Sequence, residues 1–108
     1  MRNQTDFFTS VFQVVKLIPR GRVTSYGAIA AYLGAKKSSR VVGYAMNASH
    51  AIPAHRVVNR LGCLTGKMHF SNPEEMERLL QLEGIVVKED CVVNFKQLFW
   101  DPSVELEL

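Results

Sequence analysis

The sequence has no acidic residue between positions 7 and 73, because its ten Asp and Glu residues are Asp6 and others from Glu74 onward. The same stretch contains nine basic residues: Lys16, Arg20, Arg22, Lys36, Lys37, Arg40, Arg56, Arg60 and Lys67. A stretch with only positive charge favours a polyanion as partner, of which DNA or RNA is the commonest. The alternative is a basic, solvated surface that binds no partner.

Long apolar runs are also missing, and the first residues, MRNQTDFF, lack the pattern of a signal peptide. We therefore expect no membrane partner, and a location in the cytoplasm at the nucleoid, or in the nucleus of a eukaryote. Only two cysteines occur, Cys63 and Cys91, in unrelated contexts. They predict free thiols in a reducing compartment rather than a disulfide. A length of 108 residues predicts one domain over 1–108, which we expect to be monomeric.

Candidate metal ligands are few and poorly spaced. His50, His55, Cys63 and His69 fall at neither zinc-finger nor helical ligand spacing. We therefore predict no metal site and no cofactor. Taken alone, His55 is more typical of a structural histidine than of a catalytic one.

The first half of the chain has the periodicity of three helices. Apolar residues recur at spacings of three and four from Thr5 to Ile18, and Pro19 then stops the helix. Ser25 predicts the cap of a second helix that Gly34 ends. A third helix is predicted to begin at Ser38 or Ser39 and to run through Met46, after a connection that contains Lys36 and Lys37. Two short helices in this order are typical of a helix-turn-helix.

The second half begins with the turn IPAHRV and a polar loop over 59–72. Asn72, Pro73 and Glu75 predict the start of a helix that Gly84 ends. The β-branched segments 85–87 and 91–93, joined by Lys88-Glu89-Asp90, predict a small hairpin. The tail DPSVELEL is expected to be frayed. The fold class that follows is mainly α, a winged-helix-like domain with a helix-turn-helix and a small β element.

Four separated motifs, TSYGAIAAYLG, SSRVVGYAM, IPAHRVVN and LLQLEG, occur in one order from about Arg20 to Gly84. Together they resemble the C-terminal domain of the O6-alkylguanine-DNA alkyltransferases. In that family the third motif contains a cysteine between the proline and the histidine, and this cysteine takes the alkyl group from the damaged base. Here Ala54 stands at that position.

The loss of the cysteine changes the expected chemistry. A thiolate nucleophile needs a histidine that a carboxylate orients, and the resemblance assigns these supporting roles to His55 and Glu83. Both are present, but neither has a thiol to activate. Cys63 lies in the loop, and the loop would have to refold to bring its sulfur to the place of Ala54. We therefore expect no catalytic residue.

The resemblance also implies a DNA-binding surface. Arg40 resembles the family's arginine finger, which fills the gap left by a flipped nucleotide, and Tyr26 resembles the tyrosine that turns the target phosphate. The less favoured alternative for Arg40 is a phosphate contact or a solvated residue, and Tyr26 as a lone residue is more typical of core packing. General rules place the second helix of a helix-turn-helix in the major groove. The resemblance instead implies the minor groove, where the small Ser39 and Gly43 permit close approach.

A flipped base needs a pocket, and the resemblance implies one that includes the loop 64–69 and these residues: Met46, Pro53, Ala54, Arg56, Val57 and Lys67. The loop departs from the active enzymes, because it reads TGKMHFS where they have a run like Gly-x-Tyr-Ser-Gly. Loss of the cysteine together with this departure resembles the alkyltransferase-like proteins. In those, a cation near the base is common, and Lys67 falls at that place, where it suits a guanine O6 acceptor.

The function that the resemblance implies is non-enzymatic binding of O6-alkylguanine in duplex DNA by base flipping. The expected partners are the damaged duplex and the proteins of nucleotide excision repair. Two alternatives remain open. One is an alkyltransferase whose cysteine was replaced by alanine, but the altered loop argues against it. The other is a helix-turn-helix regulator that reads DNA sequence, which needs neither the PAHR turn nor Glu83.

Overall fold

The structure is a computed structural model that describes residues 4–34, 39–46 and 51–106. Lys36, Lys37 and Ser38, which we predict in the connection of the helix-turn-helix, and His50 lie outside these residues. Within them, helices predominate: α1 (Gln4–Val15), α2 (Tyr26–Tyr32), α3 (Ser39–Met46), α4 (Glu75–Leu82), α5 (Phe95–Leu98) and α6 (Pro102–Glu105). The prediction of a mainly α fold with a small β element is confirmed. No helix of the described ranges is long and apolar enough to cross a membrane.

Helices α1, α2 and α3 pack around the first of two hydrophobic cores. Helix α1 ends three residues before the predicted Ile18, because Pro19 disfavours a helical conformation of the residue before it. Ser25 caps α2 as predicted, since its hydroxyl accepts a hydrogen bond from the Ala28 N–H at 3.1 Å. The fully buried members of this core include Val11, Val15, Ile29, Val42 and Val57.

A short parallel pair of strands, β1 (Thr24–Ser25) and β2 (Val57–Val58), separates the two cores. Thr24 pairs with Val57, and Ser25 with Val58. Successive side chains of a strand point to opposite faces, so Val57 belongs to the first core and Val58 to the second. The pair therefore anchors the 3-10 turn Ala54–Arg56, directly before β2, between the two cores.

The second core contains Met76 and Leu80 of α4. This helix begins at Glu75, later than the predicted cap at Asn72. The Asn72 side chain accepts a hydrogen bond from the Glu74 N–H at 3.1 Å and so shapes the turn before the helix, while the Glu75 carboxylate pairs with Arg78 instead of closing a capping box. Gly84, with φ +83°, ends the helix as predicted.

The predicted hairpin is confirmed, with β3 (Val87–Lys88) antiparallel to β4 (Cys91–Val92). Its turn residues Glu89 and Asp90 both have positive φ, 53° and 61°, as a tight two-residue hairpin turn requires. The prediction of a frayed tail is wrong over the described part, because the tail forms α6. Asp101 caps this helix by accepting a hydrogen bond from the Ser103 N–H at 3.0 Å.

The prediction of two free thiols is also wrong, because Cys63 and Cys91 form a disulfide. Residues 62–64 run antiparallel to β4, with hydrogen bonds from the Leu64 N–H to the Asp90 carbonyl and from the Val92 N–H to the Gly62 carbonyl, both 2.8 Å long. This backbone pairing brings two cysteines together whose sequence contexts are unrelated. The disulfide removes the free thiols that supported the expectation of a reducing compartment.

Candidate nucleic-acid interface

A cavity of about 1040 Å³ opens between the two halves of the molecule. One wall comes from α2 and α3 through Tyr26, Ser39, Arg40, Gly43, Tyr44 and Met46. Ala54 and His55, on the short 3-10 turn Ala54–Arg56, lie between this wall and the next, together with Ile52. The opposite wall comes from the loop and the start of α4, through Thr65, Gly66, His69, Phe70, Ser71, Glu75, Met76 and Leu79.

A buried carboxylate holds the turn that carries Ala54. The side chain of Glu83 is only 6% exposed, and its Oε2 lies 2.5 Å from His55 Nε2. Arg56 donates from Nε to both oxygens of Glu83 at 3.1 and 3.0 Å, and the Gly21 N–H donates to Oε1 at 2.7 Å. Arg56 also donates from Nη1 to the Ile18 carbonyl at 2.8 Å. His55 therefore has a fixed orientation at the cavity.

The hydrogen bonds keep Glu83 ionised. Burial acts to raise its pKa, but hydrogen bonds from Arg56, from the Gly21 N–H and from His55 outweigh burial and lower the pKa to about 2. At neutral pH the Glu83 carboxylate can hold the imidazole of His55 through a hydrogen bond and balance the positive charge of Arg56. A histidine held in this way could serve a nucleophile beside it, but the neighbouring residue is Ala54, which has none.

The structure brings together most of the predicted site residues. Tyr26, Ser39, Arg40, Gly43, Met46, Ala54 and His55 all line the cavity. Arg40 is exposed, and it makes no hydrogen bond or ion pair with another described residue. Arg40 and the small residues Ser39 and Gly43 thus lie on the face of α3 that lines the cavity.

Four residues predicted for the pocket do not line the cavity. Arg56 turns toward Glu83, and Val57 is fully buried in the first core. Pro53 precedes the 3-10 turn without reaching the cavity wall. The Lys67 ammonium pairs with the Asp90 carboxylate at 2.6 Å, at the tip of the hairpin, so its charge is directed away from the cavity.

Tyr26 meets the loop wall at close range. A Cβ at Gly66 would lie 2.7 Å from the Tyr26 hydroxyl, so only glycine fits at this position without a shift of the ring. Burial raises the pKa of Tyr26, and a side-chain hydrogen bond with Thr65 acts in the opposite direction without reversing the shift. The Tyr26 hydroxyl is therefore protonated at neutral pH and can donate a hydrogen bond.

Several cavity residues escape prediction from the sequence: Tyr44, Ile52, Phe70, Ser71, Glu75, Met76 and Leu79. Tyr44 carries a usable signal, because it lies four residues after Arg40 and so shares a face of α3 with it. The residues of the opposite wall carry no sequence signal that predicts their place at the cavity. They reach the cavity only through the packing of α4 on the second core.

Several basic residues of the acid-free stretch form hydrogen bonds or ion pairs within the protein. Arg20 Nη2 donates to the Leu82 carbonyl at 2.7 Å, and Arg22 donates to the carbonyls of Leu98 and Phe99 at 2.9 and 2.7 Å. With Arg56 and Lys67, four of the nine basic residues are thus bonded within the protein. Among the same nine, those that the structure describes without such a partner are Lys16, Arg40 and Arg60.

No group of three or more His, Cys, Asp and Glu side chains in the described ranges could hold a metal ion. The described side chains that line the cavity offer hydrogen bonds, aromatic and apolar contacts, the positive charge of Arg40 and the carboxylate of Glu75.

Comparison with known proteins gives one family model, described as the DNA binding domain of 6-O-methylguanine DNA methyltransferase, which matches residues 6–85. Alkyltransferase-like protein 1 of Schizosaccharomyces pombe is 31% identical over 90% of this chain and 96% of its own length. The DNA base-flipping protein of Escherichia coli is 31% identical over 94% of this chain and 79% of its own. A methylated-DNA–protein-cysteine methyltransferase of Methanosarcina acetivorans is 42% identical, but the chain spans only 52% of its length.

Solved structures agree with these matches. Atl1 of Schizosaccharomyces pombe, crystallised in complex with damaged DNA that contains O6-carboxymethylguanine, superposes with a TM-score of 0.82 at 34% identity, over 94% of this chain and all of that one. A DNA complex of the Mycobacterium tuberculosis enzyme OGT superposes with a TM-score of 0.64 at 37% identity, over 76% of this chain and 51% of that one.

Proposed function

The chain belongs to the family of the 6-O-methylguanine DNA methyltransferase DNA binding domain, and we propose that it recognises O6-alkylguanine in duplex DNA without repairing it. The damaged nucleotide flips into the cavity between α3 and the loop wall. Enzymes and binding proteins that act on a single base extrude it from the stack in this way. The proposal thus assigns the cavity to the base and the exposed face of α3 to the duplex.

Ala54 is the observation that carries the non-enzymatic part of the proposal. It lines the cavity beside His55, which Glu83 orients. The two residues that would activate a nucleophile are therefore in place, but the side chain next to them is only the methyl group of Ala54. Both cysteines of the sequence are joined in the disulfide at the hairpin, so neither offers a thiolate. The described lining of the cavity thus contains no thiol that could accept the alkyl group of a lesion.

Relatives of similar length support damage recognition. The Schizosaccharomyces pombe relative is an alkyltransferase-like protein crystallised on DNA with O6-carboxymethylguanine, and the Escherichia coli relative is a DNA base-flipping protein. The cavity of this chain suits recognition of a damaged base, because it has room for a base and the exposed Arg40 lies at its edge.

The face of α3 suits an approach through the minor groove. Ser39 and Gly43 are small, and nothing lies within 4 Å of a Cβ built at Gly43, so the backbone of α3 can come close to the duplex. Arg40 would enter the stack where the nucleotide has left, and Tyr26 would act on its phosphate through the protonated hydroxyl. These two roles match the residues' places at the cavity.

A binding assay tests the proposal directly. One duplex with a single O6-methylguanine is compared with the same duplex carrying guanine, at one salt concentration. We expect the damaged duplex to bind at least about tenfold more tightly, or about 1.4 kcal/mol. Intact-mass measurement after incubation should find no gain of a methyl group on the protein. Equal affinity for the two duplexes would favour a sequence-reading regulator instead.

The oriented His55 also keeps a second candidate open, namely an alkyltransferase that lost its cysteine by replacement. The Ala54→Cys variant separates the two. We expect it to transfer little or no methyl group, because the loop TGKMHFS lacks the contacts that hold the base in line with a nucleophile. Efficient transfer by this variant would show that the loop is competent and would favour the second candidate.

We also propose that the chain acts as one monomeric domain, in the nucleoid or nucleus, and passes the bound lesion to nucleotide excision repair. A lesion that is held without chemistry needs a second activity to remove it. In a reconstituted excision reaction, adding the protein should increase incision of the O6-methylguanine duplex and leave the undamaged duplex intact. Unchanged incision would contradict this part alone.

A further inference from the structure

Tyr44 is a large aromatic side chain at the cavity whose place is explained neither by the two cores nor by a hydrogen bond with another described residue. It is 53% exposed, although it belongs to α3, whose Val42, Ala45 and Met46 are buried. Its ring is not among the residues packed against the first core, whereas Tyr26 and Tyr32 are. Its hydroxyl makes no hydrogen bond with another described residue.

The position of Tyr44 connects it with the nucleic-acid face. It lies one helical turn after Arg40 and directly after Gly43, and all three line the cavity. An exposed aromatic ring beside an unpaired arginine is the combination on which nucleobases stack in nucleic-acid binding proteins. Because every base has a flat π-face, such a ring stabilises a base that has left the stack of the duplex, whatever its identity.

We propose that Tyr44 is a base-binding residue whose ring stacks on the flipped base at the mouth of the cavity. This inference rests on the proposed function and adds a second base-contacting group to it. Tyr44 differs in role from Arg40, since it acts on the nucleotide that leaves the helix and not on the gap that remains. The apolar Met46, Ile52 and Leu79 continue the cavity wall from the same mouth, as a base with an alkyl group requires.

Three duplexes of one sequence separate a contact with the flipped base from other contacts. The first carries O6-methylguanine, the second an abasic tetrahydrofuran site, which has a gap but no base to stack, and the third guanine. Tyr44→Ala removes the ring and Tyr44→Phe removes only the hydroxyl. Val104→Ala, at a residue that is 65% exposed and lies on α6 away from the cavity, is the matched control.

We expect Tyr44→Ala to weaken binding of the O6-methylguanine duplex by about 5- to 100-fold, the range that loss of a base–aromatic stack produces. Binding of the abasic and undamaged duplexes should stay within about twofold. Tyr44→Phe and Val104→Ala should bind all three duplexes like the original chain. Since Tyr44 is exposed, the melting temperatures of all variants should agree within about 2 °C.

Three results would overturn the inference. Equal losses on all three duplexes would indicate a contact with DNA outside the flipped base, and a loss in Tyr44→Phe as large as in Tyr44→Ala would indicate a hydroxyl contact with phosphate. The third result is no loss of affinity in Tyr44→Ala. In each of these the original chain still prefers the damaged duplex, so the proposed function stands. An original chain that binds the three duplexes equally would refute both.

Discussion

Two regions of the molecule differ in what their basic residues do. One is the seam, by which we mean Arg20, Arg22, Arg56 and Cys63 with the partners that they bind in 82–99. The other is the face of α3 that lines the cavity. In the seam each arginine donates to backbone carbonyls or to the buried Glu83. On the cavity face, Arg40 is exposed and has no partner among the described residues.

Arginine therefore stabilises the fold in one region and is available for binding in the other. An arginine bonded to carbonyls within the protein is held in place by the fold, whereas Arg40 can reach a ligand without breaking a bond to a described residue. Removal of a seam residue should therefore lower the stability of the fold, whereas removal of Arg40 should lower the affinity for DNA.

The largest effect is expected at Arg56. Replacement by methionine keeps the length of the side chain but leaves Glu83 and the Ile18 carbonyl without its hydrogen bonds. Loss of one partner of a buried ion pair costs roughly 3 to 5 kcal/mol. Urea denaturation should show a decrease of this size in the free energy of unfolding. Arg60→Met, at an exposed arginine without a described partner, should change it by less than about 0.5 kcal/mol.

The disulfide is the covalent part of the seam. Cys63 and Cys91 are separated by 28 positions, and closing a loop of this length stabilises a fold by about 3.5 kcal/mol through the loss of entropy in the unfolded chain. Reduction, or replacement of both cysteines by serine, should lower the free energy of unfolding by about that amount. The Cys63→Ser/Cys91→Ser variant should show no further decrease when a reductant is added, whereas a further decrease would mean that the reductant acts elsewhere.

Acid should weaken the seam through Glu83. Its pKa is about 2 in the folded protein and about 4.5 in the unfolded chain, so the carboxylate stabilises the fold above pH 4.5 and loses this contribution as the pH falls toward 2. The full contribution is about 3 kcal/mol, of which about 2 kcal/mol is lost by pH 3. Urea denaturation at pH 6 and pH 3 should show the original chain converging on Glu83→Gln. A constant difference between the two would contradict the role of the carboxylate.

The contrast between the two regions also explains what could be predicted from the sequence. Ser25, Gly34 and Gly84 mark helix ends through local backbone preferences, and the β-branched segments around Glu89-Asp90 mark a hairpin. Such signals lie within a few residues of the element that they define.

The contacts between the acid-free stretch and the later residues, in contrast, join positions that are far apart in the chain. Arg56 lies 27 positions from Glu83, and Lys67 lies 23 from Asp90. Nothing near Lys67 indicates that it pairs at the hairpin tip instead of facing the cavity. The motifs that carry the family resemblance indicate which residues to examine, but only the packing of the two halves decides which of them reach the cavity.

The smallest effect in free energy is expected on the binding side, at Arg40. Extruding a nucleotide costs a few kcal/mol of lost stacking, and a side chain that fills the gap recovers part of that cost. Arg40→Ala should therefore weaken binding of an O6-methylguanine duplex by about 1 to 3 kcal/mol. Because the arginine has no described partner in the protein, the free energy of unfolding should stay within about 0.5 kcal/mol of its original value.

The ratio of affinities decides between two roles of Arg40. If the guanidinium stabilises the flipped state, its removal lowers affinity for the damaged duplex more than for the undamaged one. A phosphate contact lowers both equally and flattens the salt dependence of binding. Arg60→Ala is the matched control, since Arg60 is exposed and does not line the cavity of Tyr26 and Ala54. Equal losses on both duplexes for both variants would reduce Arg40 to one charge of a basic surface and leave base flipping without its arginine.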